Sequence, residues 1–548
     1  MVRLRYLHVY PIMSALTSRF DSSAPGKEIR AAEAPTDVPG CDAAPPPLRL
    51  GKTALLGFVA TTSIVLGALF GGTTFLTHLP GAWFFGMPGG QLGSIGTDST
   101  HPPLYAAFAV YGGIILLIRV WIGLLRHLRA NHGVPVKKIV AVAAIWAIPM
   151  LVTPPLFSGD VYSYAGQGEM TSHHINPYDY GTGVLGSTPF TAMADGVWTN
   201  TPSPYGPTFM AVDGALTRAS GHKILPDILL LRLLEVAGLA LVVAATPTLA
   251  RSLRRDPAEA VALGVGSPLV LISLIGGAHN DALMLGLLMA ALALAQRVGT
   301  VPAVILCALA AGVKAPAALG ILFLGWVWAG PGASFRRRVV HTLGAGVIGL
   351  ATLAAVTQIA GNGWGWLHTV TAADGAFTFV TPIGAVSRVI SDLAGVVGVH
   401  LGVISVRDVL TVLGLLGAGV IGTWLLLRAP VDGMTRNLGL ALLALALLSP
   451  ILWSWYVTWG LLVLAPVAAG RLRSALIALV AVETLIGAAS VRGMLHTVLH
   501  AGFVPDLALA VAVTAIIVIP LGQFGDRPHA LESAQGRRIQ RPLIKLSS

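Results

Sequence analysis

The sequence predicts an all-α polytopic membrane protein, and three observations carry that expectation. Only 11% of the 548 residues are charged, against about 25% in a soluble domain. Hydrophobic residues make up 55% of the chain, and its mean hydropathy is +0.76. The apolar residues also gather in long runs. Those runs exclude a soluble enzyme, a disordered chain and a β-barrel, whose alternating strands give only a weak hydropathy signal. Helices remain, because they satisfy their own backbone in lipid. The 64 Gly and 35 Pro then read as marks of close helix packing and broken helices.

Taken in order, residues 1–50 form a tail rich in Ala, Pro, Asp and Glu, expected to be disordered and cytoplasmic, with no signal-peptide pattern. A membrane domain follows over 51–525. A span needs about 20 apolar residues, fewer where a helix is broken. The apolar segments are 53–77, 103–125, 138–156, 226–250, 258–276, 280–297, 300–314, 315–330, 339–361, 406–428, 436–451, 452–469, 472–491 and 504–523. They predict a bundle of about 12–14 transmembrane helices, with the shortest pieces around Lys314 and Pro450. Residues 526–548 are a basic cytoplasmic tail.

The formal charge is +11, which in a soluble protein would suggest nucleic acid. Here its placement is a topology signal instead. With a cytoplasmic N-terminus and alternating spans, Arg126, Arg129, Arg254, Arg255, Arg297, Arg336–Arg338 and Arg473 all fall on one side, so no nucleic-acid partner is expected. The connections 78–102, 157–225 and 362–405 then lie outside, rich in aromatics, Asn and carboxylates. That mixture suits carbohydrate, whose ring faces stack on aromatics while its hydroxyls take polar groups. There is no P-loop, Rossmann glycine fingerprint or HExxH. Two unrelated cysteines, Cys41 and Cys307, make no disulfide framework. No carboxylates show metal-ligand spacing, so neither a metal nor another cofactor is expected.

Five polar groups interrupt this apolar background. Residues 158–168 read SGDVYSYAGQG directly after the third segment. As a helix they place Asp160, Tyr164 and Gln167 on one face by i, i+4, i+7 spacing, with Ser158 or Asp160 as a cap. Tyr162 lies in the same run. A partly desolvated carboxylate at the membrane edge suits a general base. Asn176-Pro177-Tyr178 and the turn 201–207, TPSPYGP, follow, with Pro202, Pro204 and Pro207 forbidding a helix and displaying Tyr205. Gly276-Gly277-Ala278-His279-Asn280-Asp281 stands between two apolar runs, where polar residues are costly unless used. Lys314-Ala315-Pro316 breaks two runs too short to span alone, as in helices that line a cavity. The run 453–459, WSWYVTW, presents Trp455 and Tyr456 for an aromatic belt or for sugar stacking. Arg232 and Glu235, three residues apart on one span, are expected to pair.

In this order the five motifs resemble the actinobacterial α-(1→6)-mannopyranosyltransferases of lipomannan and lipoarabinomannan core synthesis, over roughly residues 50–525. The resemblance implies a GT-C glycosyltransferase fold in the plasma membrane with an external active site. It implies a polyprenyl-phosphate mannose donor and a lipid-anchored α-mannan acceptor. It makes Asp160 the base of an inverting transfer to a 6-hydroxyl, with Asp281 in reserve. Lys314 is then a candidate for steadying the departing phosphate. Tyr162, Tyr164, Gln167, Asn176, Tyr178, Tyr205, His279, Asn280, Asp281, Trp455 and Tyr456 become substrate contacts. Two other readings stay open at this level: a transferase for another polyprenyl-phosphate sugar, and a transporter or flippase of lipid-linked sugars.

Overall fold

The computed structural model describes residues 50–70, 104–369 apart from 193 and 195, 382–399 apart from 397, and 403–487. Both tails and the segment 504–523 lie outside these residues. Every regular element described is helical. Six helices are long and apolar enough to cross a membrane: Leu50–Leu69, Phe108–Ala130, Ile224–Ser252, Phe335–Ala360, Val406–Leu427 and Val431–Leu448. A seventh span is formed if Pro257–Leu263 and Pro268–Gly276 count as one, bent by 50°. Thr300–Ala311, Ala315–Trp328 and Ser454–Val467 are shorter apolar helices. Several expected spans are thus half-length pieces, meeting at breaks that hold the polar motifs.

Burial shows which faces meet lipid. On Phe335–Ala360 the buried residues are Ala345, Gly349, Leu353 and Thr357. They recur every four residues, a single stripe against Thr300–Ala311 and Ala318–Trp328. On the opposite side Val340, Leu343 and Val347 are exposed. Inside the bundle, buried indoles donate to backbone carbonyls: Trp121 to Ala262 at 2.8 Å and Trp146 to Thr53 at 3.2 Å.

Local chemistry sets the breaks. Asp256 caps Pro257–Leu263 by accepting from the amides of Ala258 and Glu259, with Pro257 at the first helical position. Ser267 and Pro268 restart the chain after the bend. The stretch Leu271–Gly276 then opens into a π-helix, where Gly277 N–H reaches back to the carbonyl of Ile272. The second break follows Thr300–Ala311, where Lys314 is extended and Ala315–Ala317 forms one 3₁₀ turn.

Arg232 and Glu235 do not pair, contrary to the sequence expectation. Arg232 donates to the carbonyls of Leu151, Thr153 and Gly276. Two of these carbonyls lie at or just past the end of Val136–Leu151, and the third closes the π-helical stretch. Glu235 instead accepts from the amide of Leu283 at 3.1 Å, in the first turn of Asp281–Arg297. Each side chain satisfies a different helix end. Close approach makes the second contact possible, because a Cβ on Gly238 would stand 2.5 Å from the carbonyl oxygen of Ala282.

The region 157–225, expected as an external connection with a short helix at its start, is folded throughout its described residues. It contains Asp160–Ser172, Gly196–Asn200 and Pro207–Ala219. The basic helix ends gather at one end of the bundle. There Arg473 meets Glu259 at 2.5 Å and donates to the carbonyl of Leu125, while Gly133 N–H donates to Asp256. The polar motifs sit at the opposite helix ends.

Candidate active site

Asp160 opens the helix Asp160–Ser172, with its carboxylate at the positive end of the helix dipole. The N-cap is Gly159 and makes no side-chain bond, so neither Ser158 nor Asp160 is the cap. Ser158, one residue before the N-cap, still takes the first free amide of the helix. Its hydroxyl accepts from the Asp160 amide at 3.2 Å and lies 3.0 Å from His279 Nε2. His279 Nδ1 lies 2.7 Å from the carbonyl of Ser273, which can only accept, so Nδ1 carries a proton. Nε2 of the neutral ring then accepts from Ser158. Burial, ahead of the opposing charges of Asp160 and Asp281, holds the imidazole below its ordinary value, so the ring is neutral at physiological pH. Once protonated, Nε2 would face Asp160 Oδ2 at 3.7 Å. The π-helical turn supplies Ser273 and aims His279, linking the glycine-rich polar break of the sequence to the SGDVYSY motif.

Tyr164 donates to Asp160 Oδ2 at 3.5 Å. Its buried phenol is pushed well above the ordinary range by desolvation, so it stays a donor. Edge-on contacts to Tyr205 and Phe209, with centroids 5.2 and 5.1 Å away, hold its ring. Tyr205 arrives because the proline-rich turn docks on the second break. Gly312, which ends Thr300–Ala311, offers its carbonyl to the amides of Thr208 and Phe209 at 2.9 and 3.2 Å. The first turn of one helix thereby completes the last turn of another. Gly206 is required there, since a Cβ would stand 2.5 Å from the same carbonyl oxygen.

Lys314 forms a bidentate pair with buried Asp281, Nζ to the two carboxylate oxygens at 3.0 and 2.8 Å. The Trp459 indole adds a bond to Asp281 at 2.5 Å. Lys314 also lies over the Tyr456 ring, 4.6 Å from its centroid. His279 stacks on Trp455 at 3.8 Å, Trp455 on Trp453 at 5.0 Å, and Tyr456 on Trp459 at 4.3 Å.

Several of these groups border a cavity of about 620 Å³, within the usual range for small-molecule sites. Asp160, Tyr205, Lys314, Tyr456, Trp453 and Trp459 line its polar part. Its apolar part runs along Ala318–Trp328 and Phe335–Ala360 to Leu322 and Leu350, both well exposed on the outer face of the bundle. Trp198 completes the lining. It lies in a stretch without periodicity or motif, and no sequence signal singled it out.

The remaining expected residues support this arrangement from outside the cavity. Gln167 is buried and accepts from Ser203 Oγ at 2.9 Å, anchoring the proline-rich turn. Asn176 closes a local turn through the Tyr178 amide and Asp179. Tyr162 and Tyr178 are buried, and their hydroxyls have no hydrogen-bond partner among the described residues. The Asn280 amide is likewise buried without one. Asp281 is fully buried under Lys314 and Trp459, whereas the Asp160 side chain is 18% exposed.

Fold and site together define a polytopic, all-α membrane protein with a carboxylate- and aromatic-lined cavity open to both a polar chamber and an apolar flank. The family model described as alpha-(1->6)-mannopyranosyltransferase, N-terminal domain, matches residues 54–330, and that of the MptB C-terminal domain matches 380–520. Alpha-(1->6)-mannopyranosyltransferase A of Mycobacterium tuberculosis is 32% identical over 78% of this chain and 82% of its own length. Alpha-(1->6)-mannopyranosyltransferase B of Corynebacterium glutamicum is 28% identical over 76% and 73%. The chain belongs to the α-(1→6)-mannopyranosyltransferase family.

Proposed function

We propose that this protein transfers mannose from polyprenyl-phosphate mannose to the 6-hydroxyl of an α-mannan on a lipid anchor, with inversion at the anomeric carbon. One observation carries the reading: Asp160 stands where a polar aromatic chamber meets an apolar groove that reaches exposed leucines on the outer face of the bundle. A polyprenyl chain suits the groove between Ala318–Trp328 and Phe335–Ala360, which leaves its phosphate near Lys314, Tyr205 and Tyr456. The relatives' names supply the sugar and the linkage.

The reaction is a single displacement. Asp160 takes the proton of the acceptor 6-hydroxyl as its oxygen attacks the anomeric carbon from the face opposite the phosphate. The new carbon–oxygen bond forms as the bond to phosphate breaks, and that electron pair leaves with the phosphate. A β-linked donor gives an α-linked product. Lys314 reaches the cavity while paired with Asp281, so it serves as a fixed donor to the departing phosphate. Tyr164 orients the base, and Tyr456, Trp453 and Trp459 offer faces for the sugars. The active site lies on the external side, and both termini are cytoplasmic.

The test supplies labelled polyprenyl-phosphate mannose and a short α-(1→6)-mannoside to membranes holding wild type or Asp160→Asn, followed by linkage analysis. Wild type should form a new α-(1→6) bond. The variant, equally expressed, should lose about 10²–10⁴-fold in rate. Equal transfer by both would move the base elsewhere. No transfer by expressed wild type would overturn the donor, in favour of another polyprenyl-phosphate sugar or a transport role.

A further inference from the structure

A second polar site lies at the far end of the Asp160–Ser172 helix, outside the cavity. Glu169 and His173 are one turn apart, i and i+4, with His173 as the residue that caps the helix. His222 comes from the turn between Pro207–Ala219 and Ile224–Ser252. Its amide closes on the carbonyl of Thr217, just after Gly221 takes the left-handed region at φ 65°. The turn directs the ring at Glu169.

The two imidazoles take different oxygens of one carboxylate. His173 Nε2 lies 3.0 Å from Oε1, and His222 Nδ1 lies 2.7 Å from Oε2. The rings are 5.1 Å apart. One donor atom from each residue lies within 4.8 Å of the others. Ligands about 2.0–2.1 Å from a tetrahedral zinc ion stand about 3.3 Å apart, so small side-chain shifts would close the three on one ion. Behind them Asp227 is fully buried. One of its oxygens accepts from Thr217 and the other has no hydrogen-bond partner among the described residues. Asp227 also interacts electrostatically with both Glu169 and His222.

We propose that Glu169, His173 and His222 bind one divalent transition-metal ion of the zinc type. Two imidazoles and a carboxylate suit zinc-like ions, whereas magnesium and calcium prefer all-oxygen sets. Both histidines reach solvent, so an ion can enter from there and keep a water in its open position. The ion would fasten the end of the Asp160 helix to the 220–223 turn, a structural role at the other end of the helix from Asp160. The assignment is independent of the reaction proposed above. It departs from the sequence expectation of no metal, which looked for clustered carboxylates and had no means of bringing His222 to Glu169.

The test uses the tag-free full chain in detergent, stripped with a chelator, loaded with zinc sulfate and desalted. Wild type should retain about one more zinc per chain than the His173→Gln/His222→Gln double variant. Cobalt(II) in its place should give the visible absorption of a low-coordinate, nitrogen-bound ion, and zinc should displace it. Equal zinc retention by wild type and the double variant would overturn the proposal. So would a featureless cobalt spectrum in wild type, a readout that needs no variant to fold.

Discussion

Two aspartates begin helices beside the same cavity, yet their surroundings assign them opposite tasks. Asp281 is fully buried and holds Lys314 through both oxygens, with Trp459 as a third partner. Asp281→Ala should therefore destabilise the protein by about 3–5 kcal/mol, because it strands the Lys314 ammonium. Asp281→Leu combined with Lys314→Met should recover most of that loss in thermal unfolding while leaving transfer impaired. A double variant no more stable than the single would show that the pair is not what the substitution breaks. His279 adds a pH signature. Its folded value lies below the ordinary 6.5, with burial the main cause. Between the two values the unfolded chain binds more protons, so stability rises with pH across that interval and falls as pH drops through it. Melting followed from mildly acidic to neutral pH should show this slope, and His279→Gln should flatten it. An unchanged slope would place the titration on another group. Asp160 was legible at this scale because its motif stands alone after an apolar run. The bond from Ser158 to His279 was not, since 121 residues separate them.

At the scale of elements, the breaks between helices organise the site. The Lys314 break was legible because a lysine and a proline interrupt two runs that are each too short to span. The proline-rich turn was legible as a turn, but nothing local tells it to dock on Gly312. That docking depends on one helix's spare amides meeting another's spare carbonyl, at a distance that leaves no room for a Cβ at Gly206. Gly206→Val should push the turn off Gly312 and move Tyr205 away from Lys314. The expected outcome is a substantial loss of transfer, well beyond that of Thr201→Val in the same stretch, with the loss of folded protein in size-exclusion profiles smaller than the loss of activity. Equal activity in the two variants would mean that the turn holds its place without this contact. The failed pairing of Arg232 with Glu235 has the same origin. Spacing along one helix brings the two side chains within reach, but both are buried, and the packed bundle offers each a helix end to satisfy. Leaving a buried backbone group unsatisfied at either of two other helix ends costs about 1–3 kcal/mol. Those contacts exist only once the helices have packed, so spacing along one helix could not reveal them.

At the scale of the whole molecule, the distribution of charge gives the bundle a direction. Hydropathy alone located the apolar runs but could not say which were full spans, because a half-helix at a break is as apolar as one that crosses. Charge is less ambiguous. The contacts among Arg473, Glu259, Leu125 and Asp256 join the basic helix ends at one pole, while Asp160, His279 and Lys314 meet at the other. Basic connections are retained on the cytoplasmic side. A lipid-linked donor reaching Asp160 would then be used on the opposite face, entering sideways past Leu322 and Leu350. Single cysteines test this direction, in a background where Cys41 and Cys307 are replaced by serine and alanine. Asn131→Cys lies in an exposed turn at the basic pole, and Tyr180→Cys is exposed at the other. In intact spheroplasts a membrane-impermeant maleimide should label position 180 and leave 131 untouched. After permeabilisation both should react. The reverse pattern would invert the protein and place the cavity on the cytoplasmic face, where sugar nucleotides would become the natural donors to test.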